Sequence, residues 1–286
     1  MTHLRQRMIE DMQVLNLAPQ TQSTYLLQVS LFARYFGKSP EHLTFEHIRD
    51  YQVHLVREKK LASSSVVVAV SALRFLYRKT LRKDWNFDQV IPAPQQSDRL
   101  PVILSPEEVG EFLGCVQHLR QRTLLTVCYA AGLRISEAVH LKVSDIDSSR
   151  MVLRVEQGKG LKDRYVMLSP KLLEVLRHWF RQSRPQHWLF PGRADQPLTA
   201  HSVQVACQRA RRLCGFSKPV TPHSLRHAFA VHMLEAGTDV RTIQLLLGHR
   251  SLRTTADYLR IANSKVCAAA SPFDRLPSRE TSPTAH

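Results

Sequence analysis

Hydrophobic residues recur at helical spacing throughout the N-terminal part of the chain. In QTQSTYLLQVSLFARYFG (20–37) an apolar stripe runs up to a glycine, the residue that most readily ends a helix in the left-handed conformation. LTFEHIRDYQVHLVREK (43–59) repeats the pattern and has Thr44 as a suitable N-cap residue. The valines of SSSVVVAVSALRFLYRKTLRKDW (63–85) are common in strands, but the length and the stripe favour a helix. We therefore expect an all-helical N-terminal domain.

A proline-rich stretch, NFDQVIPAPQQSDRLPVILSPEE (86–108), interrupts the helical pattern. This composition is typical of an extended linker, so we place a domain boundary near residue 97. Ser105, Pro106 and Glu108 have the spacing of an N-terminal capping box with proline at the first helical position. A helix is therefore expected to open the second domain.

The C-terminal part of the chain mixes helical and alternating patterns. Residues 121–141 predict a helix, a turn at Gly132 and a second helix. The alternation in MVLRVEQGKGLKDRYVMLSP (151–170) predicts two short strands around a glycine turn. The chain as a whole is predicted to be mainly α-helical with a small β-sheet. Further helices are expected at 169–181, 199–214, 222–236, 239–247 and from 251 to about 263, followed by a loose Pro/Ser-rich tail.

The charge balance indicates a polyanionic partner. The 286 residues include 40 Lys and Arg against 24 Asp and Glu, a net charge of +16, and both domains are basic. Self-repulsion of this size is relieved by binding an anion such as nucleic acid. A solvated basic surface is the alternative reading of the charge alone.

The cysteines and the hydropathy pattern indicate the cellular compartment in which the protein is expected. Five cysteines without a C-x-x-C pair predict neither a disulfide framework nor a zinc ribbon. There is no apolar run of 18 residues and no signal-peptide core at the start. We expect a cytoplasmic, nucleoid-associated protein with no membrane partner.

One helical segment carries a line of basic side chains. Arg74, Arg78 and Arg82 recur at i, i+4 and i+8, which would place them along one side of a helix. A solvated face explains this spacing as well as DNA binding does. We nevertheless include the three residues among the predicted DNA contacts, because the line matches a helix laid against phosphates.

Cleaving a DNA strand without a metal ion requires a particular set of side chains. The scissile phosphate gains negative charge in the transition state, and guanidinium groups can hold two of its oxygens. A hydroxyl must attack, and a His or Lys must move protons. The chain offers candidates for all these roles in one order, namely Arg134, Lys159, His223, Arg226, His249 and Tyr258.

The local context of these candidates varies in strength. Arg134 follows a glycine at a predicted helix start, where an anion is favoured, and Glu137 lies one turn on and can orient it. Lys159 is expected at the tip of the hairpin, and His249 is expected to be exposed on a turn. Taken singly, each candidate has a simpler reading as a surface arginine, an ordinary turn, a helix-terminal cation or a packed tyrosine.

Two other reaction classes fit less well. His223 and His227 are four apart, as zinc ligands often are, but Ser224 occupies the glutamate position of H-E-x-x-H. We therefore expect no metal site, and a metal hydrolase is the weakest alternative. No GxxxxGK[ST] loop is present, so neither ATP nor another cofactor is expected.

In combination, these residues and the sequence segments around them resemble one protein family. The segments are GLRISEAVHL, GKGLKDR and TPHSLRHAFAVHMLEAGTDVRTIQLLLGHRSLRTTADYL. They are similar to the tyrosine recombinases, also called the phage integrase family, and the size points to a compact Xer-like or transposon-encoded type. The resemblance implies a helical, SAM-like core-binding domain over 1–97, an α+β catalytic domain over 98–267 and a flexible tail over 268–286. The two domains would form a C-shaped clamp around DNA.

The resemblance also implies roles. Arg134 and Arg226 would clamp the phosphate, and Tyr258 would attack it to give a 3′-phosphotyrosyl link. Lys159 would protonate the leaving oxygen, while His223 and His249 would assist at the tyrosine. Lys162 and Arg164, in the same hairpin as Lys159, are predicted DNA contacts, and His227 is interpreted as a packing neighbour without a role in the reaction.

The resemblance implies the partners as well. They are double-stranded DNA with specific recombination sites, three further copies of the chain in a tetramer that passes through a Holliday junction, and an accessory or partner recombinase. The main alternative is a catalytically inactive DNA-binding or architectural protein of the same fold, which would not need Tyr258.

Overall fold

Two units make up the computed structural model of the chain, Met1–Arg99 and Leu100–His286. The structure describes residues 2–87, 103–156, 163–194 and 196–249, together with residues 251, 255 and 258. The boundary predicted near residue 97 falls outside these ranges. The predicted fold class is confirmed, since both units are built mainly of helices and the second adds a small sheet.

Four helices in the described part of the first unit surround one apolar core. Met12, Phe32, Ile48, Leu73 and Tyr77 lie in this core and are fully or almost fully buried. The helix predicted for the valine-rich segment is confirmed, because its buried valines face the core at helical spacing. The helices are α1 (His3–Val14), α2 (Pro19–Phe36), α3 (Phe45–Arg57) and α4 (Ser63–Phe75), with a 3-10 turn at Pro40–His42.

The end of α4 departs from the predicted regular helix. The chain continues as a π-helical segment, Leu76–Thr80. Arg74 lies in α4, Arg78 lies in the π segment, and Arg82 follows it with a φ of 51°. The predicted line of three arginines on one regular helix is therefore wrong, because the π turn shifts the helical register and the chain then leaves the helix.

The second unit combines seven described helices with three strands. The strands are β1 (Ile146–Asp147), β2 (Val152–Val155) and β3 (Arg164–Met167), antiparallel and in that order. The predicted pair β2 and β3 is confirmed, whereas β1 is too short to give an alternating pattern. The helices are α5 (Pro106–Gly114), α6 (Leu119–Ala130), α7 (Ile135–Val139), α8 (Pro170–Ser183), α9 (Ala200–Leu213), α10 (Pro222–Glu235) and α11 (Val240–Leu247).

Local signals at the helix ends agree with the predictions. Ser105 and Glu108 form the expected capping box, with the Ser105 N–H donating to Glu108 Oε2 at 2.9 Å. Gly37, Gly215 and Gly248 each follow a helix with φ between 61° and 68°, which costs glycine little. The helix predicted from residue 251 lies largely outside the described residues, as does the tail.

Helix α10 runs through the interior of the second unit. Nine of its residues are buried, among them Leu225, Ala228 and Phe229, and it packs on α6 and α11. A helix enclosed in this way is a rigid support for any side chain it carries. No helix in the described part of the chain is long and apolar enough to cross a membrane.

Gly132 is predicted to tolerate alanine less well than Gly215, although both have positive φ. A Cβ at Gly132 would lie 2.5 Å from the buried ring of Phe229, whereas no described atom lies within 4 Å of a Cβ at Gly215. We expect Gly215→Ala to lower the free energy of unfolding by about 1 kcal/mol through its backbone conformation alone. Gly132→Ala should lower it by about 3 kcal/mol, because overpacking adds to that cost. Urea unfolding of the two variants measures the difference, and equal losses would contradict the packing described.

Candidate active site

Arg134 is held at the start of α7 by the residue one turn further on. It occupies the N-cap position, and its N–H donates to Glu137 Oε2 at 2.8 Å. Its Nη1 donates to Glu137 Oε1 at 2.8 Å and contacts the Leu247 carbonyl at 3.4 Å. The side chain remains 22% exposed. Glu137 therefore orients Arg134, as the sequence spacing predicted, and leaves part of the guanidinium accessible.

Glu137 is the anionic centre of a wider cluster. Its side chain is only 6% exposed, and it accepts hydrogen bonds from Arg134 and from both Nη atoms of Arg164. Arg226 Nη1 lies 3.6 Å from Glu137 Oε2. Burial by itself would raise the pKa of this carboxyl, but the hydrogen bonds and charges of Arg164 and Arg134 lower it to about 2. Glu137 is therefore ionised at any working pH.

Arg164, a predicted DNA contact, binds Glu137 in this structure. Its side chain is 12% exposed, and both Nη atoms are bound by Glu137. Its Nε donates to the Leu246 carbonyl at 2.9 Å, and its guanidinium packs against the place where a Cβ of Gly248 would lie. The guanidinium of Arg164 thus forms its hydrogen bonds within the protein, because the buried carboxylate of Glu137 needs hydrogen-bonding partners. Lys159 and Lys162 of the same hairpin lie outside the described residues.

Arg226 is completely buried on α10. Its Nη1 donates to the Gly132 carbonyl and its Nη2 to the Leu247 carbonyl, each at 2.6 Å. Among the described residues, its Nε has no hydrogen-bond partner. Burial, followed by the charge of Arg134, lowers the pKa of Arg226 to about 10, so it stays charged at neutral pH. His223, three residues before Arg226 on the same helix, is exposed.

Tyr258 lies against two histidines from different parts of the unit. It is 4% exposed, and its Oη lies 2.8 Å from His227 Nδ1. The ring of His249 is nearly parallel to the tyrosine ring, with 6.3 Å between centroids. His223 packs edge to face on His227 at 4.3 Å. The structure therefore brings the predicted nucleophile together with three histidines.

His227 was missed by the sequence analysis, which treated it as a packing neighbour. The structure gives it a hydrogen bond to the hydroxyl of Tyr258. Its spacing of four from His223 was the available signal, because residues four apart share a helix face.

His249 is half-buried, not exposed as predicted. Its Nδ1 lies 2.9 Å from Thr255 Oγ1, and its carbonyl accepts a hydrogen bond from Gln244 at 3.0 Å. These contacts fold the turn after α11 back onto the helix. Burial, followed by the charges of Arg226 and Arg134, lowers the pKa of His249 to about 3.

The other two histidines are also shifted toward the neutral form. Partial desolvation, followed by the charges of Arg226 and Arg134, lowers the pKa of His223. Burial, followed by the charges of His223 and Arg226, lowers the pKa of His227 to about 4. Three guanidinium groups around one carboxylate leave an excess of positive charge, and this excess favours neutral histidines and an incoming anion.

A basic recess lies separately in the first unit, at the end of α4. Its lining includes Arg74, Arg78 and Lys83 together with the aromatic rings of Trp85 and Phe87. The volume is about 330 Å³. Arg78 and Lys83 are exposed. Cations and aromatic faces in one concave surface are typical of nucleic-acid contacts.

Comparison with known proteins identifies the class to which this fold and site belong. Residues 103–265 match the phage integrase family, and residues 4–87 match the N-terminal SAM-like domain of phage integrases. The chain belongs to the phage integrase family, whose members carry out site-specific DNA recombination.

Individual relatives cover nearly the whole chain. The protein y4qK of Sinorhizobium fredii, an integrase/recombinase by name, is 64% identical over 99% of this chain and 92% of its own length. Tyrosine recombinase XerC of Lacticaseibacillus casei is 30% identical over 85% of this chain and 89% of its own. The structure of a lambda integrase dimer bound to a COC′ core site shares the fold, with a TM-score of 0.74 and 19% identity over 94% of this chain and 78% of that one.

Glu137→Gln is predicted to destabilise the protein in a pH-dependent way. The folded-state pKa is about 2 against an ordinary value of 4.5, so ionised Glu137 stabilises the fold above about pH 5, and this contribution disappears as the pH falls toward 2. We expect the substitution to lower the free energy of unfolding by about 3 kcal/mol at pH 7 and by much less near pH 2. Urea unfolding across this pH range measures the difference.

Glu174→Gln serves as the control for this experiment. Glu174 is exposed on α8, so its loss should change stability by no more than about 0.5 kcal/mol at either pH. A pH-independent effect of Glu137→Gln would contradict the ionised, arginine-bound state of Glu137.

Proposed function

We propose that this chain breaks and rejoins DNA strands through Tyr258. The observation that carries the proposal is the position of Tyr258 Oη, beside histidines and within a unit where three buried or half-buried arginines gather round Glu137. In the first step the Tyr258 oxygen bonds to the scissile phosphorus, and the bond from phosphorus to the 5′-oxygen breaks. The product is a 3′-phosphotyrosyl link and a free 5′-hydroxyl.

Protons must move at both ends of this displacement. The phenol proton passes to the histidines around Tyr258, where the family resemblance assigns His223 as base. Lys159, again by resemblance, supplies the proton to the 5′-oxygen. The phosphodiester energy is retained in the tyrosyl link, so rejoining is the reverse attack by a 5′-hydroxyl and needs neither a metal ion nor ATP.

The two arginines of the proposed clamp would act differently. Arg134 keeps accessible surface and can donate directly to a phosphate oxygen. Arg226 is completely buried and would contribute charge, while its Nε, which has no hydrogen-bond partner among the described residues, would gain an acceptor from the phosphate. Because an anion counteracts the positive field of the arginines, phosphate binding should also raise the pKa values of the three histidines.

The first unit would hold the DNA rather than cut it. We assign residues 1–97 to core DNA binding, residues 98–267 to catalysis and residues 268–286 to a tail. Arg74 and Arg78 in the basic recess are the candidate phosphate contacts. By analogy with the DNA-bound dimer of lambda integrase and its tetramer on a Holliday junction, several copies of this chain would act together on paired recombination sites.

Tyr258→Phe is predicted to abolish covalent attachment to DNA while leaving DNA binding intact. The substitution removes only the attacking oxygen. The substrates would be tiled nicked duplexes, whose sequences together cover the DNA that flanks the gene. Cleavage next to the nick releases a short strand, so rejoining cannot occur and the covalent complex is trapped. A denaturing gel detects that complex, and a native gel reports retention. Wild-type protein should form the covalent complex as well in the presence of EDTA as in its absence.

A non-catalytic, architectural function is the second candidate, and the same experiment separates it. Wild-type protein that retains a tiled duplex but never links to it would support that alternative. Loss of the covalent complex in EDTA would instead contradict the metal-independent mechanism.

Arg78→Gln is predicted to weaken DNA binding with a reduced dependence on salt. Each lost phosphate contact should lower the slope of log affinity against log salt concentration by about 1. Arg49→Gln removes an equally exposed charge from α3, outside the basic recess, and should leave the slope unchanged. Fluorescence anisotropy with a labelled duplex at several salt concentrations measures both, and equal slopes for the two variants would rule out the recess as the DNA contact.

A further inference from the structure

The hydroxyl of Tyr258 is bound by a residue outside the set that the family resemblance identifies. His227 Nδ1 lies 2.8 Å from Tyr258 Oη, within the range of an ordinary O–H···N hydrogen bond. His227 is on α10, whereas Tyr258 lies beyond the end of α11. The contact thus joins the tyrosine to α10, the helix that comes before α11 in the chain.

Helix α10 is a firm anchor for such a contact. Its start is fixed by a capping box between Thr221 and Ser224, with the Ser224 N–H donating to Thr221 Oγ1 at 3.1 Å. The residues on either side of His227, Arg226 and Ala228, are completely buried. His227 is thus attached to a stretch of backbone whose neighbouring side chains are packed in the core of the unit.

The protonation state of His227 makes it suitable as an acceptor. Burial, with the nearby charges of His223 and Arg226, lowers its pKa to about 4, so the ring is neutral at neutral pH. A neutral imidazole has one nitrogen that accepts and one that donates. When Nδ1 accepts the phenol hydrogen, the hydrogen bond sets the direction of the O–H bond of Tyr258.

The ring of Tyr258 is restrained as well. His249 lies over it with an interplanar angle of 18°, and His249 is itself held by Thr255 at 2.9 Å. Stacking limits the tilt of the tyrosine ring. The hydrogen bond to His227 restrains the direction of the O–H bond.

We propose that His227 is a positioning residue for the nucleophile, whose Nδ1 accepts the phenol hydrogen of Tyr258 and so fixes the orientation of the reacting oxygen. This inference rests on the function proposed above. It adds a residue that holds the reacting oxygen, separate from the residues that clamp the phosphate. Misorientation of a reacting group by about 1 Å can cost about 100-fold in rate.

The kinetic test compares two substitutions at His227 under single-turnover conditions. His227→Leu keeps the bulk and removes the acceptor, whereas His227→Asn places an amide oxygen near the position of Nδ1. With saturating protein on the tiled nicked duplexes, we expect His227→Leu to lower the rate of covalent complex formation about 100-fold. His227→Asn should remain within about tenfold of wild type, and DNA retention should be unchanged in both.

The same helix offers a matched control. His232 lies five residues further along α10, and its Nδ1 lies 3.0 Å from the hydroxyl of Tyr129. His232→Asn therefore changes another histidine–tyrosine contact on the same helix and leaves the hydrogen bond between His227 and Tyr258 in place. It should leave the rate of covalent complex formation at the wild-type value.

A spectroscopic measurement tests the hydrogen bond without DNA. In full-length protein labelled with ¹³Cζ-tyrosine, the Tyr258 signal is assigned by its absence in Tyr258→Phe. His227→Leu should shift that signal, and His232→Asn should shift the Tyr129 signal instead. An unshifted Tyr258 signal in His227→Leu overturns the inference whatever the DNA experiments give.

The outcomes separate the inference from the proposed function. Wild-type protein that never links to DNA overturns both. Wild-type protein that links, with His227→Leu equally fast, overturns the positioning role alone. Equal losses in His227→Leu, His227→Asn and His232→Asn would indicate damage to α10 and would also overturn it. Loss in His227→Leu with recovery in His227→Asn supports it.

Discussion

The ion pair between Glu137 and Arg164 is the interaction on which the rest of the site depends. A buried carboxylate is costly unless it is paired and fully hydrogen-bonded, and Arg164 meets both oxygens of Glu137 with parallel bonds. The same carboxylate accepts a further hydrogen bond that orients Arg134, and its negative charge attracts Arg226. One anion from α7 thus gathers cations from three separate elements. Without it, three guanidinium groups would repel one another in a poorly solvated space.

Backbone carbonyls complete what the carboxylate begins. The end of α11 turns its Leu246 and Leu247 carbonyls toward the arginines, and Gly132 adds another from the turn before α7. The helix end carries partial negative charge, so it is a favourable neighbour for cations. Gly248 ends α11 in the left-handed conformation and leaves space for the guanidinium of Arg164. The two glycines are therefore part of how the arginines are held.

The positive excess of the arginine cluster sets the chemical state of its neighbours. His227 and His249 are neutral because burial and the nearby guanidinium groups both oppose a further positive charge. Neutral histidines can accept hydrogen bonds, which a phenol nucleophile needs. The cluster and the histidines are thus complementary: one part attracts an anion, and the other keeps Tyr258 Oη beside a suitable acceptor. Both are features of the second unit alone.

The sequence by itself determined the helix ends marked by capping residues and turn glycines, the β2–β3 pair, the identity of the candidate residues and the family. These depend on local properties such as hydrophobic period, capping residues and turn glycines, which one stretch of chain contains completely. Only the tertiary structure decided that Arg164 binds Glu137, that Arg226 is buried and that His227 contacts Tyr258. In those cases the deciding partner is far away in the chain, so residue type and spacing carry no information about it. The π-helical end of α4, whose Leu76 and Tyr77 lie in the core of the first unit, was also not visible in the hydrophobic pattern.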